Sequence, residues 1–337
     1  MFKTPTHLKF IYCFLYFYFA LLSPASQAKP IIAVYPAWKH TASSATALPW
    51  MNFSHLAVSG VFPTENGLTS ESVDAFIKEL EGLCHQHNKK IILSIGGSGN
   101  SSKAFIAITK DENKIKNFVK SVADYAQKNN LDGIDIDWEY WTFQNELGKG
   151  GQDPIESERL LYLMKSLRLE LPTKILLSVD VAPGSWLGDQ YLVDLQKHVD
   201  YINLMAFDFT GAWKSSDIGY HSNLTLFKKA IEHSLNKGFD PQKLIIGLPA
   251  YGIEFVNGKT YQVNHVDYRD IVTQLGGNMK SLSKQKIGNL YFEDKESIAA
   301  KCQYINKKNL AGVFLFNVLS DHPSAEFSLL TACKNIL

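Results

Sequence analysis

The sequence has no excess of charge of either sign. Among its 337 residues, 34 lysines and arginines stand against 33 aspartates and glutamates, which leaves a formal net charge of +1. Proteins that attract nucleic acid or an anionic membrane surface over long distances carry a clear positive excess. We therefore expect neither partner, and a neutral ligand recognised by local contacts fits the composition better.

Cysteine is also scarce. The chain has four cysteines, and Cys13 lies in an N-terminal segment that we expect to be removed, so that Cys84, Cys302 and Cys333 remain. Three cysteines cannot form a disulfide framework. At most one bridge is expected, and Cys302 with Cys333 is the favoured pair by position. No CxxC or histidine-rich spacing suggests a metal site, so we expect neither a metal nor another cofactor.

Long apolar runs are missing as well. The run from Phe10 to Leu22 has roughly half the length that a membrane-spanning helix needs. Lys3 and Lys9 precede it, and small residues ending at Ala28 follow it, which is the arrangement of a secretory signal peptide. We expect residues 1–28 to be this peptide and residues 29–337 to be the folded domain, secreted to the periplasm or the cell exterior and free of the membrane. An uncleaved membrane anchor is the alternative.

Apolar runs of strand length alternate with segments of helical period from residue 30 onward. Eight runs have the composition of buried strands, at 31–35, 55–59, 90–94, 133–139, 174–179, 201–205, 243–247 and 312–316. The amphipathic segments between them include 71–87, 111–128, 156–170, 224–237 and 295–308. This pattern predicts an α/β fold, a single-domain (β/α)8 TIM barrel, with a doubly wound sheet as the alternative. The stretch 253–290 is too short for a large α+β insertion domain.

The fourth predicted strand carries alternating carboxylates at Asp135, Asp137 and Glu139. Side chains alternate across a strand, so the acids share one face and the apolar residues between them share the other. We expect the acids to line the barrel interior, where close like charges force at least one carboxyl to keep its proton near neutral pH. A protonated carboxyl at a cleft is a general acid. The alternatives are an exposed edge strand and a calcium loop, although such a loop has polar residues between its acids and a glycine after them.

Four short motifs lie on the third, fourth, sixth and seventh predicted strands. They are similar to the SxGG, DGxDxDxE, MxYD and GxPxYG motifs of family 18 glycoside hydrolases, the chitinase family, and stand at 94–97, 132–139, 205–208 and 247–252. The resemblance covers about residues 31–321. It implies a TIM barrel, in agreement with the periodicity.

The resemblance also implies a reaction, the retaining hydrolysis of β-1,4-linked N-acetylglucosamine in chitin or its oligomers. Glu139 would protonate the glycosidic oxygen, while the N-acetyl carbonyl of the substrate acts as the nucleophile. Asp137 would accept a hydrogen bond from the acetamido N–H. Asp135 would share a proton with Asp137, and Tyr35 and Ser94 would give hydroxyl hydrogen bonds to this carboxylate row.

Substrate contacts are expected mainly from aromatic rings, because the C–H face of a sugar is apolar. For any single ring, ordinary core packing is the alternative. Besides Tyr35 and Ser94, the candidate substrate-binding residues are Gly97, Tyr140, Met205, Phe207, Asp208, Trp213, Tyr251 and Phe316.

Two of these residues depart from the family pattern. Phe207 replaces the tyrosine of MxYD, and Phe316 stands where a tryptophan is usual, so a slower enzyme is implied. Asp180 adds a carboxylate where a small residue is common, without an assigned role. We expect a monomer that binds N-acetylglucosamine polymers or oligomers. The alternatives are a catalytically weak or silent chitin-binding lectin and a related endo-β-N-acetylglucosaminidase acting on N-glycans or peptidoglycan.

Overall fold

The structure is a computed structural model that describes residue 1 and residues 28–65, 67–69, 71–139, 154–184, 188–213 and 215–337. Most of the predicted signal peptide and the candidate ligand Tyr140 lie outside these residues. Within the described ranges, no helix combines the length and the apolar character needed to cross a membrane.

The strands begin within two residues of their predicted starts wherever a strand was predicted. In chain order they are β1 (Ile31–Pro36), β2 (His55–Thr64), β3 (Gly67–Thr69), β4 (Lys90–Gly97), β5 (Gly133–Trp138), β6 (Leu176–Val181), β7 (Tyr201–Leu204), β8 (Leu244–Pro249), β9 (Tyr251–Phe255), β10 (Val263–Asp267), β11 (Lys286–Ile287), β12 (Leu290–Tyr291) and β13 (Gly312–Phe316).

Eight of these strands form a closed parallel barrel in the described part of the chain. The order around it is β1, β2, β4, β5, β6, β7, β8 and β13, and the ring closes because β13 pairs with β1 and β1 pairs with β2. The predicted TIM barrel is therefore confirmed, and the open doubly wound sheet is excluded.

Helices surround the barrel. They are α1 (Ala42–Thr46), α2 (Glu71–Asp74), α3 (Ile77–Gln86), α4 (Asn100–Thr109), α5 (Glu112–Lys128), α6 (Pro154–Glu170), α7 (Leu224–Lys237), α8 (Tyr268–Gln274), α9 (Met279–Leu282), α10 (Lys295–Lys307) and α11 (Leu329–Lys334). The predicted helix 71–87 is divided into α2 and α3, and α4 was not predicted.

The main hydrophobic core lies between the barrel and the helices. On β5 the apolar face packs outward as predicted, with Ile134, Ile136 and Trp138 fully buried. Trp138 stacks on Phe105 of α4 with ring centroids 5.4 Å apart. Burying each large apolar side chain contributes about 1.5–3 kcal/mol, so this packing fixes which face of β5 points inward.

The segment between β8 and α10 forms a small antiparallel sheet in the order β10, β9, β12, β11, with α8 and α9 beside it. It is a small insertion, in agreement with the prediction that no large α+β domain is present, and it contacts the barrel at the open end. The Lys39 ammonium, just after β1, donates to Asp267 Oδ2 of β10 at 2.6 Å. The insertion is therefore tied to the first barrel strand.

Two further links hold the C-terminal helices. A disulfide joins Cys302 of α10 to Cys333 of α11, so the predicted pair is confirmed. On α10, the fully buried Lys301 ammonium lies 2.7 Å from the Glu293 carboxylate and donates to Ser222 Oγ at 2.9 Å. Burial lowers the pKa of Lys301, and the charge of Glu293 opposes that change.

Candidate active site

A cavity of about 890 Å³ opens at the C-terminal ends of the barrel strands. This is the face where TIM barrels carry their chemistry, because the loops after the strands converge there. The cavity brings together most of the predicted site: Ser94, Gly97, Asp135, Asp137, Glu139, Met205, Phe207, Asp208, Trp213, Tyr251 and Phe316.

Asp135 lies deepest in the carboxylate row and accepts three hydrogen bonds. Ser94 Oγ donates at 2.9 Å, Ser178 Oγ at 2.6 Å and Asn203 Nδ2 at 3.0 Å. Burial raises the pKa of Asp135, and the three donors oppose this rise because they stabilise the ionised form. Ser178 and Asn203 were not among the predicted site residues, although strand alternation on β6 and β7 places both inside the barrel.

Asp137 occupies the middle of the row in a different environment. Burial, followed by the charges of Glu139 and Asp135, raises its pKa well above the ordinary value. Its Oδ1 atom is buried and has no hydrogen-bond partner among the described residues. Since Asp135 has the donors and Asp137 lacks them, we assign the negative charge of this pair to Asp135 and the proton to Asp137.

Two glycines of β4 lie beside Asp137. Gly96 has a φ of +127°, and a Cβ there would lie 2.0 Å from the backbone oxygen of Asp137, so a larger residue would push the strands apart. A Cβ on Gly97 would approach Asp137 Oδ2 to 4.0 Å. Within the SxGG motif, Gly96 therefore permits close packing against the acidic strand.

Glu139 follows β5 at the mouth of the cavity. Burial and then the negative charge of Asp208 raise its pKa to about 7, so the carboxyl is about half protonated at neutral pH. Ser102 Oγ on α4 donates to the backbone oxygen of Glu139 at 2.7 Å. The unpredicted helix α4 thus anchors the end of the acidic strand.

Asp208 stays ionised beside Glu139. Tyr251 Oη donates to Asp208 Oδ1 at 2.6 Å, and His221 Nδ1 lies 3.1 Å from the same oxygen. Burial acts to raise the pKa of Asp208, but the hydrogen bond and charge of His221, with the bond from Tyr251, lower it overall. No motif pointed to His221, which also contacts the backbone oxygen of Tyr251 at 3.1 Å.

Aromatic rings form one wall of the cavity. Phe207 stacks on Phe316 with centroids 6.2 Å apart and meets Tyr251 edge to face at 6.4 Å. The Trp213 ring lies over Gly211, where a Cβ would approach it to 2.5 Å. Phe207 and Phe316 give this wall an apolar surface, which suits the C–H face of a sugar.

Tyr35 is a correction to the predicted site. Its side chain is fully buried, and its hydroxyl lies 2.9 Å from His40 Nδ1 and 2.9 Å from Ser44 Oγ. Ile32 and Val34 belong to the small cluster inside the barrel, so alternation on β1 directs Tyr35 outward, away from the carboxylates. The predicted contact with the carboxylate row is wrong.

A closed parallel barrel with a row of carboxylates in an aromatic-walled cavity is typical of the barrel-type glycoside hydrolases. The chain belongs to Glycosyl hydrolases family 18, whose model matches residues 31–321.

It is 26% identical over 322 residues to the probable chitinase 2 of Drosophila melanogaster, covering 82% of this chain and 65% of the relative. It is 27% identical over 284 residues to the sporulation-specific chitinase 2 of Saccharomyces cerevisiae, covering 74% of this chain and 53% of the relative. The chain thus spans less than two thirds of these relatives.

Solved structures share the fold. A chitinase from Bacteroides thetaiotaomicron superposes with a TM-score of 0.79 at 23% identity, over 92% of this chain and 96% of that chain. The Group IV chitinase of Ostrinia furnacalis in complex with allosamidin gives a TM-score of 0.78 at 23% identity, over 92% and 98% of the two chains.

Proposed function

We propose that the protein is a secreted, retaining glycoside hydrolase that cleaves β-1,4-linked N-acetylglucosamine in chitin or chitooligosaccharides. The observation that carries the proposal is the row of Asp135, Asp137 and Glu139 in one cavity, with Glu139 at its mouth and its pKa raised to about 7. Membership of family 18 and the chitinase names of the curated relatives support the substrate class. The N-terminal apolar run supports secretion.

In the first step Glu139 gives its proton to the glycosidic oxygen as the bond from that oxygen to C1 breaks. The acetamido oxygen of the same sugar forms a new bond to C1, which gives a cyclic oxazolinium ion with the positive charge shared by nitrogen. Asp137 accepts a hydrogen bond from the acetamido N–H and can pass its own proton toward Asp135, so that negative charge faces the developing cation.

In the second step water attacks C1 and reopens the ring. Glu139, now a carboxylate, takes the proton from that water and returns to its starting state. Two inversions at C1 leave the configuration unchanged, so the first product released is the β-anomer.

The test compares the native protein with Glu139→Gln on chitooligosaccharides. The amide is nearly isosteric but cannot supply the proton, so kcat should fall on the order of a hundredfold to ten-thousandfold while oligomer binding persists. Asp189→Asn, which removes an exposed carboxylate outside the cavity, is the control. A native-like rate for the glutamine variant would refute the assignment.

Two further measurements define the reaction. NMR of early products should show the β-anomer first, and an oligomer with glucosamine on the non-reducing side of the bond should resist cleavage. Parallel assays on a glycoprotein and on peptidoglycan separate the proposed activity from that of an endo-β-N-acetylglucosaminidase. Binding without turnover of any of these substrates would indicate a lectin.

A further inference from the structure

Asp180 brings an additional carboxyl to the cavity. It lies two residues beyond Ser178 on β6, and the two residues share a strand face. Ser178 donates to Asp135, so Asp180 also points into the barrel, one level nearer the mouth. Across the sheet it is in register with Asn203 of β7, and it lines the same cavity as Asp137.

The groups that face Asp180 are mostly acidic. They are Asp135, Asp137 and Glu139 from β5 and its end, and Asn203 from β7. Burial, followed by the charges of Asp135 and Asp137, raises the pKa of Asp180 well above the ordinary value, and the hydrogen bond from Asn203 does not offset this. Burial and the neighbouring acids thus favour the protonated form of Asp180, whose O–H is a hydrogen-bond donor.

Apolar side chains line the cavity together with Asp180. Met205 and Phe207 are among them, and they present a thioether and a hydrocarbon ring. A carboxylic acid beside an apolar surface matches an acetamido group, which has a carbonyl oxygen at one corner and a methyl at another. With its N–H directed to Asp137 of β5, the acetamido group lies beside β6, the neighbouring strand that carries Asp180 into the same cavity.

We propose that Asp180 is a substrate-binding residue that donates a hydrogen bond to the acetamido carbonyl oxygen of the sugar whose bond is cleaved. This inference rests on the proposed function. The contact holds the nucleophilic oxygen in line with C1, and Phe207 and Met205 receive the methyl. The orientation of the nucleophile affects the rate of the chemical step, so loss of the contact should change kcat more than KM.

The test uses Asp180→Ala and Asp180→Asn on one chromogenic chitobioside. The alanine variant should lose kcat by about 10-fold to 100-fold with a smaller change in KM. The asparagine variant keeps an N–H donor at the same place and should retain most of the native rate. Asp189→Asn, which removes an exposed carboxylate outside the cavity, should leave kcat near native.

A third variant checks the geometry. In the Asp180→Ala background, Phe207→Tyr adds a hydroxyl to the same cavity and should recover part of the lost kcat. Thermal melting of each variant accompanies the kinetics. The near-isosteric asparagine variant keeps the test decisive if the alanine variant unfolds.

Three outcomes overturn the inference or its basis. Native kcat in Asp180→Ala means that the carboxyl makes no useful contact. An asparagine variant as slow as the alanine variant means that Asp180 acts as an anion. No turnover of chitooligosaccharides by the native protein refutes the proposed function itself, whereas an active native protein with an indifferent Asp180 refutes this inference alone.

Discussion

The charge on Asp208 should set part of the pH range in which the protein works. Asp208→Asn removes that charge with little change in shape. The pKa of Glu139 is about 7 instead of 4.5, with burial as the larger cause and Asp208 as the second. Without the neighbouring charge the ionised form of Glu139 is less disfavoured, so its pKa falls, by less than half of that difference.

The size of the effect follows from the need for a protonated acid. At pH 8 an acid of pKa about 7 is about one tenth protonated, whereas an acid of pKa about 6 is about one hundredth protonated. The basic limb of kcat/KM should therefore move down by up to about one pH unit. Relative to its own plateau, the variant should lose up to about tenfold more activity at pH 8 than the native protein.

The assay is kcat/KM on a chromogenic chitobioside from pH 4.5 to 9, with each profile scaled to its plateau. The plateau itself will fall because Tyr251 and His221 lose an ionised partner, so the position of the limb is the informative quantity. Asp267→Asn is the matched control, since that carboxylate lines the cavity but does not contribute to the shift of Glu139. An unmoved limb in Asp208→Asn would show that the reasoning is wrong.

Three other predictions concern binding and stability. Trp213→Ala should raise KM for chitooligosaccharides about tenfold with a smaller effect on kcat, because a stacking surface is lost; an unchanged KM would place the ring outside the binding surface. Glu293→Ala should lower the free energy of unfolding in urea by about 3–5 kcal/mol because Lys301 is left buried and unpaired, and Lys301→Met in the same chain should recover part of the loss. Replacing Cys302 and Cys333 with alanine should cost roughly 3–4 kcal/mol, given their separation of 31 residues; equal urea midpoints before and after would contradict this.

The pattern of apolar runs and the order of the motifs were enough to predict most of the fold and the central residues of the site. Apolar runs and alternating acids are local signals, so β5 and its two faces follow directly from residues 133–139. The insertion is likewise bounded by its length. The limits of helix α4 are less visible, because its apolar positions do not stand out until Trp138 and Phe105 are placed against each other.

The errors arise where a side chain's direction depends on neighbours distant in sequence. The motif resemblance placed Tyr35 near the carboxylates. Ile32 and Val34 point into the barrel from β1, and because side chains alternate along a strand, Tyr35 points outward. His221 lies in no motif and becomes recognisable only when its loop returns to Asp208. Such contacts depend on barrel closure, which a linear pattern does not encode.

The three donors to Asp135 come from β4, β6 and β7. Since Asp135 itself lies on β5, one carboxylate links four adjacent strands of the barrel. A substitution at Asp135 would remove the hydrogen bonds that link these strands, and it would also remove the carboxylate that shares a proton with Asp137. Glu139, in contrast, stands at the rim, and the bond from Ser102 reaches its backbone and does not depend on its side chain. A sugar-binding protein without hydrolysis could therefore descend from this scaffold by a change at Glu139 with little damage to folding, whereas the same step taken at Asp135 would weaken the architecture.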